Sequence, residues 1–408
     1  MHLWQTNPLE EEITLVGGQG CTVWDTTGKR YLDLQSGTWC TVLGYGHPGW
    51  VAAVRSQVTE LVHVGAAFPT PEVHEALAAL REVLPPALNR AVFLNTGSEA
   101  VELALKIVRA ATGAGGIVVV EGGYYGATTY ALALSEVGRA APYLPGFGDV
   151  HRLPTPACRR CPAGRSWPCE DFACLDSLRA LADEGEGHVA ALLYEPVMGS
   201  GGVIVPPPGY GTRLRELIDR CGALLIAEEV TTGVGRTGRW FGFEHDDIVP
   251  DILVIGKAIG AGLPVSAVVT TRAVEARCRG TLRHVQSHQN DPFSGRIAAT
   301  VISILQEEHL VEQAAERGAY LLQGLKALQS RCPAIWDVRG KGLMLGVELE
   351  PERAAEGTRV VRRLLDMGFI VDYRPQIATF RLFPPYVIST REIDRFLTAF
   401  ERAIDGGG

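Results

Sequence analysis

Two short apolar runs lead into the residues best suited to chemistry. Ala223–Ala227 runs into Glu228 and Glu229, and Ile252–Ile255 runs into Gly256 and Lys257. Each run has the length and Val/Ile/Leu content of a buried parallel strand. In an open α/β sheet, ligands bind beyond the carboxyl ends of the strands, so an acid at one strand end and a lysine at another converge on one crevice. The chain uses few lysines (Lys29, Lys106, Lys257, Lys326 and Lys341) and takes most of its positive charge from arginine. Lys257 stands between an apolar strand and a glycine-rich turn. An amine held partly out of water loses its proton more readily and can form a Schiff base with an aldehyde. From residue type alone, a surface lysine at a strand end is the plainer reading.

A second stretch offers an anion site. Ala91–Leu94 reads as a strand that enters Thr96-Gly97-Ser98 and then a helix over Glu99–Ala111. Gly97 and Ser98 place backbone N–H groups and a hydroxyl at a helix N-terminus, which suits a phosphate. A serine there can equally be a structural cap. A third stretch, 151–175, holds Cys158-x2-Cys161-x7-Cys169-x4-Cys174 among prolines and glycines. That spacing is similar to a zinc or iron–sulfur ligand set, although the second pair lacks the tight separation of common zinc sites. The other reading is a loop of reduced thiols or a disulfide.

These groups need a scaffold. Ile117–Val120 and Val189–Tyr194 read as further buried strands, with helices from Pro71 to Leu84 and from Arg213 to Cys221 between or before them. Strand, helix, strand with chemistry at the strand ends predicts a mainly parallel central sheet in a large domain. Val23–Leu34 reads as a hairpin around an Asp25–Gly28 turn. From Ile335 onward short strands and helices alternate, ending in a helix from Thr390 to Ile404. The predicted division is residues 1–60 and 296–408 in a smaller α+β domain, with 61–295 as the large domain.

Composition narrows the class. The chain has 408 residues, 46% apolar and 21% charged, enough for a large core and two domains. A formal net charge of −8 gives no electrostatic reason to expect nucleic acid or an anionic membrane. The apolar runs are too short to span a bilayer, and MHLWQTNPLEEE lacks the features of a secretory signal, so a cytoplasmic enzyme is expected. Nine cysteines without an export signal point to thiols or metal ligands.

The stretch 223–264 resembles the signature of class III (subgroup II) aminotransferases, pyridoxal-phosphate enzymes of fold type I. The matching residues are Glu228-Glu229-Val230, Gly235-Arg236-Thr237-Gly238, Pro250-Asp251, Lys257 and Gly262-Leu263-Pro264. The resemblance continues over nearly the whole chain. It implies Lys257 as the Schiff-base lysine, and Gly97 and Ser98 as the phosphate turn. Tyr124 matches the aromatic that stacks on the pyridine ring, and Val230 lies in the matched stretch at the cofactor. Trp39, Glu195 and Arg381 match substrate contacts, the arginine taking a carboxylate. Ser287 matches a threonine that reaches the phosphate of the neighbouring subunit, which implies a homodimer with shared sites.

Three departures surround the cofactor. Glu228 stands where aspartate is usual at the pyridine nitrogen, Tyr125 stands where histidine is usual, and Ser287–Asp291 departs from the pattern after its first residue. The expected function is amino transfer to a 2-oxo acid. Racemisation or epimerisation, elimination or replacement, and carbon–carbon bond formation on the same scaffold are the alternatives.

Overall fold

The computed structural model describes residues 13–406 apart from 114, 140, 142–143, 145–148 and 162. Strands β1 (Leu15–Gln19), β2 (Thr22–Asp25) and β3 (Arg30–Asp33) form an antiparallel meander. The next seven are β4 (Leu88–Leu94), β5 (Gly116–Val120), β6 (Val150–Leu153), β7 (Val189–Tyr194), β8 (Leu224–Glu229), β9 (Ile252–Ile255) and β10 (Ser266–Thr271). They make one sheet in the order β4-β10-β9-β8-β7-β5-β6. The pairs from β6 to β9 are parallel, and β10 runs antiparallel to both its neighbours. This is an α/β fold with a large, mainly parallel sheet.

The run-together apolar character of these strands follows from burial on both faces. Every residue of β5, β7, β8 and β9 is buried. On one side the helix Gly97–Thr112 packs through Val101, Leu105 and Val108, with Ile117 and Val254 in the same cluster. On the other, Leu214, Leu217 and Ile218 of helix Tyr210–Arg220 join Leu225, Leu253 and Ile255 in a larger core.

The remaining strands are β11 (Ile335–Lys341), β12 (Met344–Leu349), β13 (Phe369–Ile370), β14 (Asp372–Arg374) and β15 (Thr379–Leu382). Four of them form a third sheet, β11-β12-β15-β14, while β13 leaves it to pair in parallel with β3 near the other end of the chain. Two further bonds hold that union. Phe383 N donates to Leu34 O, and Ser36 Oγ donates to Phe383 O. Arg236 fastens the turn after β8 to the C-terminal segment. It is fully buried and donates to the carbonyls of Leu343 and Pro384. Its guanidinium lies 4.7 Å from the ring centre of Tyr386.

Candidate active site

The sheet's carboxyl ends open into a cavity of about 260 Å³. Its lining includes Gly97, Ser98, Tyr124, Glu195, Glu228, Val230 and Lys257. Seven residues proposed from sequence therefore share one space. Trp39 and Arg381 are buried outside its lining, and Ser287 is exposed on the single chain.

Lys257 follows β9 after the single residue Gly256, with its backbone at φ 43°. A non-glycine residue in the left-handed region costs energy and persists where the surroundings over-determine it, commonly at active sites. Its Nζ donates to Thr231 Oγ1 at 2.6 Å. Burial pushes the ammonium below its ordinary pKa, opposed by the nearby carboxyls of Glu228 and Glu195. The result is an amine closer to its neutral, nucleophilic form than a surface lysine.

Glu228 and Glu229 end β8 and point into different surroundings. Glu229 is satisfied internally: its carboxylate accepts from Thr232 Oγ1, Gly242 N and Phe243 N. Glu228 lines the cavity, and burial, reinforced by Glu195, pushes its carboxyl well above the usual range. Glu195, at the end of β7, is pushed up to about 7 by burial, although Tyr124 N and Gly199 N both donate to it. No arginine is among these partners. The cavity thus holds two acids whose protons are retained toward neutrality, beside an amine that releases its own.

The phosphate-type turn is built at the start of Gly97–Thr112. Thr96 and Glu99 form a reciprocal capping box, which satisfies Glu99 N and Thr96 N. Gly97 and Ser98 N–H groups have no partner within the helix. Gly97 permits a close approach: a Cβ there would come within 2.8 Å of Val230 Cγ2. Ser98 Oγ accepts from Ala127 N, tying the turn to the loop that carries Tyr124. A free helix N-terminus, a reactive amine and a buried acid in one cavity form a donor set that fits pyridoxal phosphate.

Tyr125, next to Tyr124, has a different place. It is 1% exposed, and its hydroxyl reaches the carbonyls of Val120 and Leu193. It packs in the core and forms part of the cavity wall from there. Trp39 is buried against Phe383, ring centres 4.5 Å apart and nearly parallel. Arg381 lies mid-strand in β15, directly across from Asp372, whose carboxylate it meets at 2.5 Å. Its Nε is buried without a hydrogen-bond partner among the described residues. Cys40, Ser200 and Thr231 line the cavity too. Thr231 takes the place of the glutamine or methionine that the resemblance puts beside the ring hydroxyl, whereas nothing in the patterns of Cys40 and Ser200 marks them.

Cys158, Cys161, Cys169 and Cys174 gather near one another. Burial and the neighbouring thiols push Cys158 up to about 11 and Cys174 up to about 12. Among the described residues, no three of these sulfurs lie within 4.8 Å of one another, so the structure does not hold them at the spacing of a metal-ligand set.

Comparison with known proteins agrees with this site. The family described as aminotransferase class III matches residues 6–404. An acetylornithine aminotransferase of Methanopyrus kandleri is 35% identical, over 97% of this chain and 95% of that protein. A leucine/methionine racemase of Thermococcus litoralis is 34% identical, over 96% of this chain and 90% of its own. Among solved structures, an amine transaminase from an uncultivated Pseudomonas species, in its pyridoxal-phosphate-bound form, superposes with a TM-score of 0.91. It is 29% identical and covers 100% of this chain and 99% of that one. The chain belongs to the class III aminotransferases. It has the type I fold of pyridoxal-phosphate enzymes and acts on small amino donors and acceptors. No helix among the described residues is long and apolar enough to cross a membrane.

Proposed function

We propose that this enzyme takes the amino group from a substrate bearing a carboxylate and delivers it to a 2-oxo acid. The observation that carries the reading is the closeness of Arg381 to Lys257. Each lies 4.7 Å from the ring centre of Trp39, one guanidinium and one ammonium. A planar guanidinium suits a carboxylate, and here it stands one aromatic ring away from the reactive amine. The unpartnered Arg381 Nε is a donor such a carboxylate can use.

Bound pyridoxal phosphate supplies an electron sink for a carbanion at the substrate Cα. The chain's own residues do the rest. Lys257 carries the cofactor and, when released from it, moves the proton at Cα, for which a lowered pKa is suited. Thr231 Oγ1 holds Nζ in place. Gly97 and Ser98 would hold the phosphate, and Tyr124 and Val230, which line the same cavity, would contact the ring. Glu228 stands for the aspartate at the pyridine nitrogen, its raised pKa favouring a shared proton. We assign the chain to subgroup II and expect a homodimer in which Ser287 completes the neighbouring site. The predicted domain limits, 1–60 with 296–408 and 61–295, belong to the same reading. A structural zinc ion or iron–sulfur cluster on the four cysteines requires their sulfurs to close to ligand spacing. Metal analysis of the purified protein tests it, and a metal content far below one equivalent removes it.

Racemisation is the second reading, favoured by the Thermococcus relative. One experiment separates the two. The holoenzyme is mixed with a panel of amino acids, and its visible spectrum, keto-acid release and substrate chirality are followed. Keto acid with conversion of the cofactor to its amine form supports transfer. Loss of optical activity without keto acid supports racemisation. Lys257→Ala should abolish either outcome.

A further inference from the structure

A second cavity, of about 1160 Å³, lies beyond the edge strand β6. Part of the segment 154–167, which follows β6, forms one wall, and β11 with the end of the helix Leu310–Gln329 forms another. This space is separate from the catalytic one. The turn 199–203 divides the two: Ser200 lines the catalytic cavity and Gly201 lines this one. It also stands away from the expected partner subunit. The loop that carries Ser287 is clamped to β4 through Asn290, whose N donates to Phe93 O and whose Oδ1 accepts from Phe93 N. β4 and β6 are the two opposite edges of the sheet.

We propose that this cavity is a binding site for a small molecule that joins a phosphate to a planar ring, as a nucleotide does. Among the described residues, five cationic side chains line it: Arg159, Arg160, Arg165, Lys326 and Arg339. Only three acids do so, in a chain whose formal net charge is −8. Such a local excess of positive charge favours an anion. Two of the acids brace three of the arginines. Arg159 Nε lies 3.1 Å from Asp337, Arg160 pairs with Glu348, and Arg339 Nη1 meets both carboxylates, at 2.9 and 2.6 Å. Three guanidiniums therefore share two carboxylates. Lys326 is exposed and has no ion pair among the described residues.

Two tryptophans line the same space. The guanidiniums of Arg160 and Arg159 lie 4.5 and 5.7 Å from the ring centre of Trp336. A guanidinium seated on an indole keeps N–H groups at its rim, and this planar fork matches phosphate oxygens in pairs. Trp167 is 51% exposed, so its indole can stack on a flat ring. The cavity is far larger than the catalytic one of about 260 Å³, which leaves room for a ligand bigger than an amino acid. Its floor is fixed in advance. Arg339 Nε donates to Gly202 O at 3.0 Å and to Val203 O at 3.2 Å, and Nη2 donates to Gly202 O at 2.6 Å. With both acids also on this guanidinium, little ordering is left for a ligand to impose.

The test uses holoenzyme, whose catalytic phosphate turn is already occupied. It is titrated with ADP in a calorimeter, and separately with inorganic phosphate and with adenosine. The expected result is one ADP per chain, bound at least about 10-fold more tightly than either fragment, since each fragment lacks one of the two sets of contacts. The affinity should fall as salt is raised. Arg160→Gln should weaken ADP by about 10-fold or more, through loss of a charged hydrogen-bond donor. Trp167→Ala should weaken it by about 5–150-fold, through loss of a stacked ring. Neither residue belongs to the catalytic cavity, and either variant alone decides the matter if the other fails to fold. ADP bound no more tightly than phosphate overturns the proposal. Equal ADP affinity in parent and variants also overturns it, because the nucleotide would then sit elsewhere. So does the absence of binding at millimolar ADP.

Discussion

The Lys257 ammonium lies 4.7 Å from the centre of the Trp39 ring. The same ring serves the Arg381 guanidinium at the same distance, and Phe383 stacks against it. Trp39 thus sets the spacing between the group that reacts and the group assigned to the substrate carboxylate. A buried cation over tryptophan is worth about 0.5–2 kcal/mol. Trp39→Leu should therefore lower kcat/KM for carboxylate substrates by about 2–30-fold. Part of the loss should appear in KM. Steady-state kinetics across a substrate series checks this, and unchanged constants would show that Trp39 only fills space.

Glu228 offers a test of the acid assigned to the ring nitrogen. Glu228→Gln keeps the shape and removes the proton that the carboxyl can share. Loss of one preorganised electrostatic partner typically costs about 10²–10³-fold in kcat, and that is the expected fall. Glu228→Asp should retain more activity than the glutamine variant. A glutamine variant with parental kcat would remove Glu228 from the mechanism.

Glu195 ties stability to pH. Its carboxyl is raised from 4.5 to about 7, chiefly by burial. The native state therefore binds this proton more tightly than the unfolded chain does. The stabilisation is complete below about pH 4.5 and is lost as pH rises toward 7. The parent should lose stability relative to Glu195→Gln across that window, by at most about 1.4 kcal/mol per pH unit. Denaturant unfolding at several pH values reads the difference. Parallel curves for the two proteins would contradict it.

Glu229→Gln should act on folding rather than catalysis. The two carboxylate oxygens accept three hydrogen bonds, and an amide nitrogen in place of one oxygen would face an N–H or O–H donor. A buried donor left without a partner costs about 1–3 kcal/mol, and the unfolding midpoint should drop accordingly. Activity per folded molecule should stay near the parent value.

The strands that carry the site were legible because burial on both faces writes a continuous apolar run. Val189–Tyr194 and Ile252–Ile255 have the same limits in sequence and structure. The run ending at Ala227 was legible too, but β8 extends through Glu228 and Glu229. Their polarity hides two strand residues whose side chains are buried for chemistry or for a local network. The helix predicted from Glu99 begins at Gly97, because a capping box recruits the preceding turn. Thr231 and Cys40 were not marked as partners of Lys257. Nothing local to a threonine or a cysteine reveals which lysine will fold against it. Gly202 and Arg339 stand 137 positions apart and became neighbours only through the packing of a turn against β11.

The bond from Ser36 to Phe383 spans 347 positions. The floor beneath Lys257 is consequently made from both ends of the chain. A ribosome that has released the whole seven-stranded sheet has still not delivered Phe383 or Arg381, so the nascent protein can hold the reactive lysine before it has the ring that stacks on Trp39 beside it. Contacts of such long separation form late and slow the approach to the native state. Chains stalled or cleaved shortly before Arg381 would keep much of the central sheet, yet leave Trp39 without its stacking partner and the substrate side of the cavity open to water.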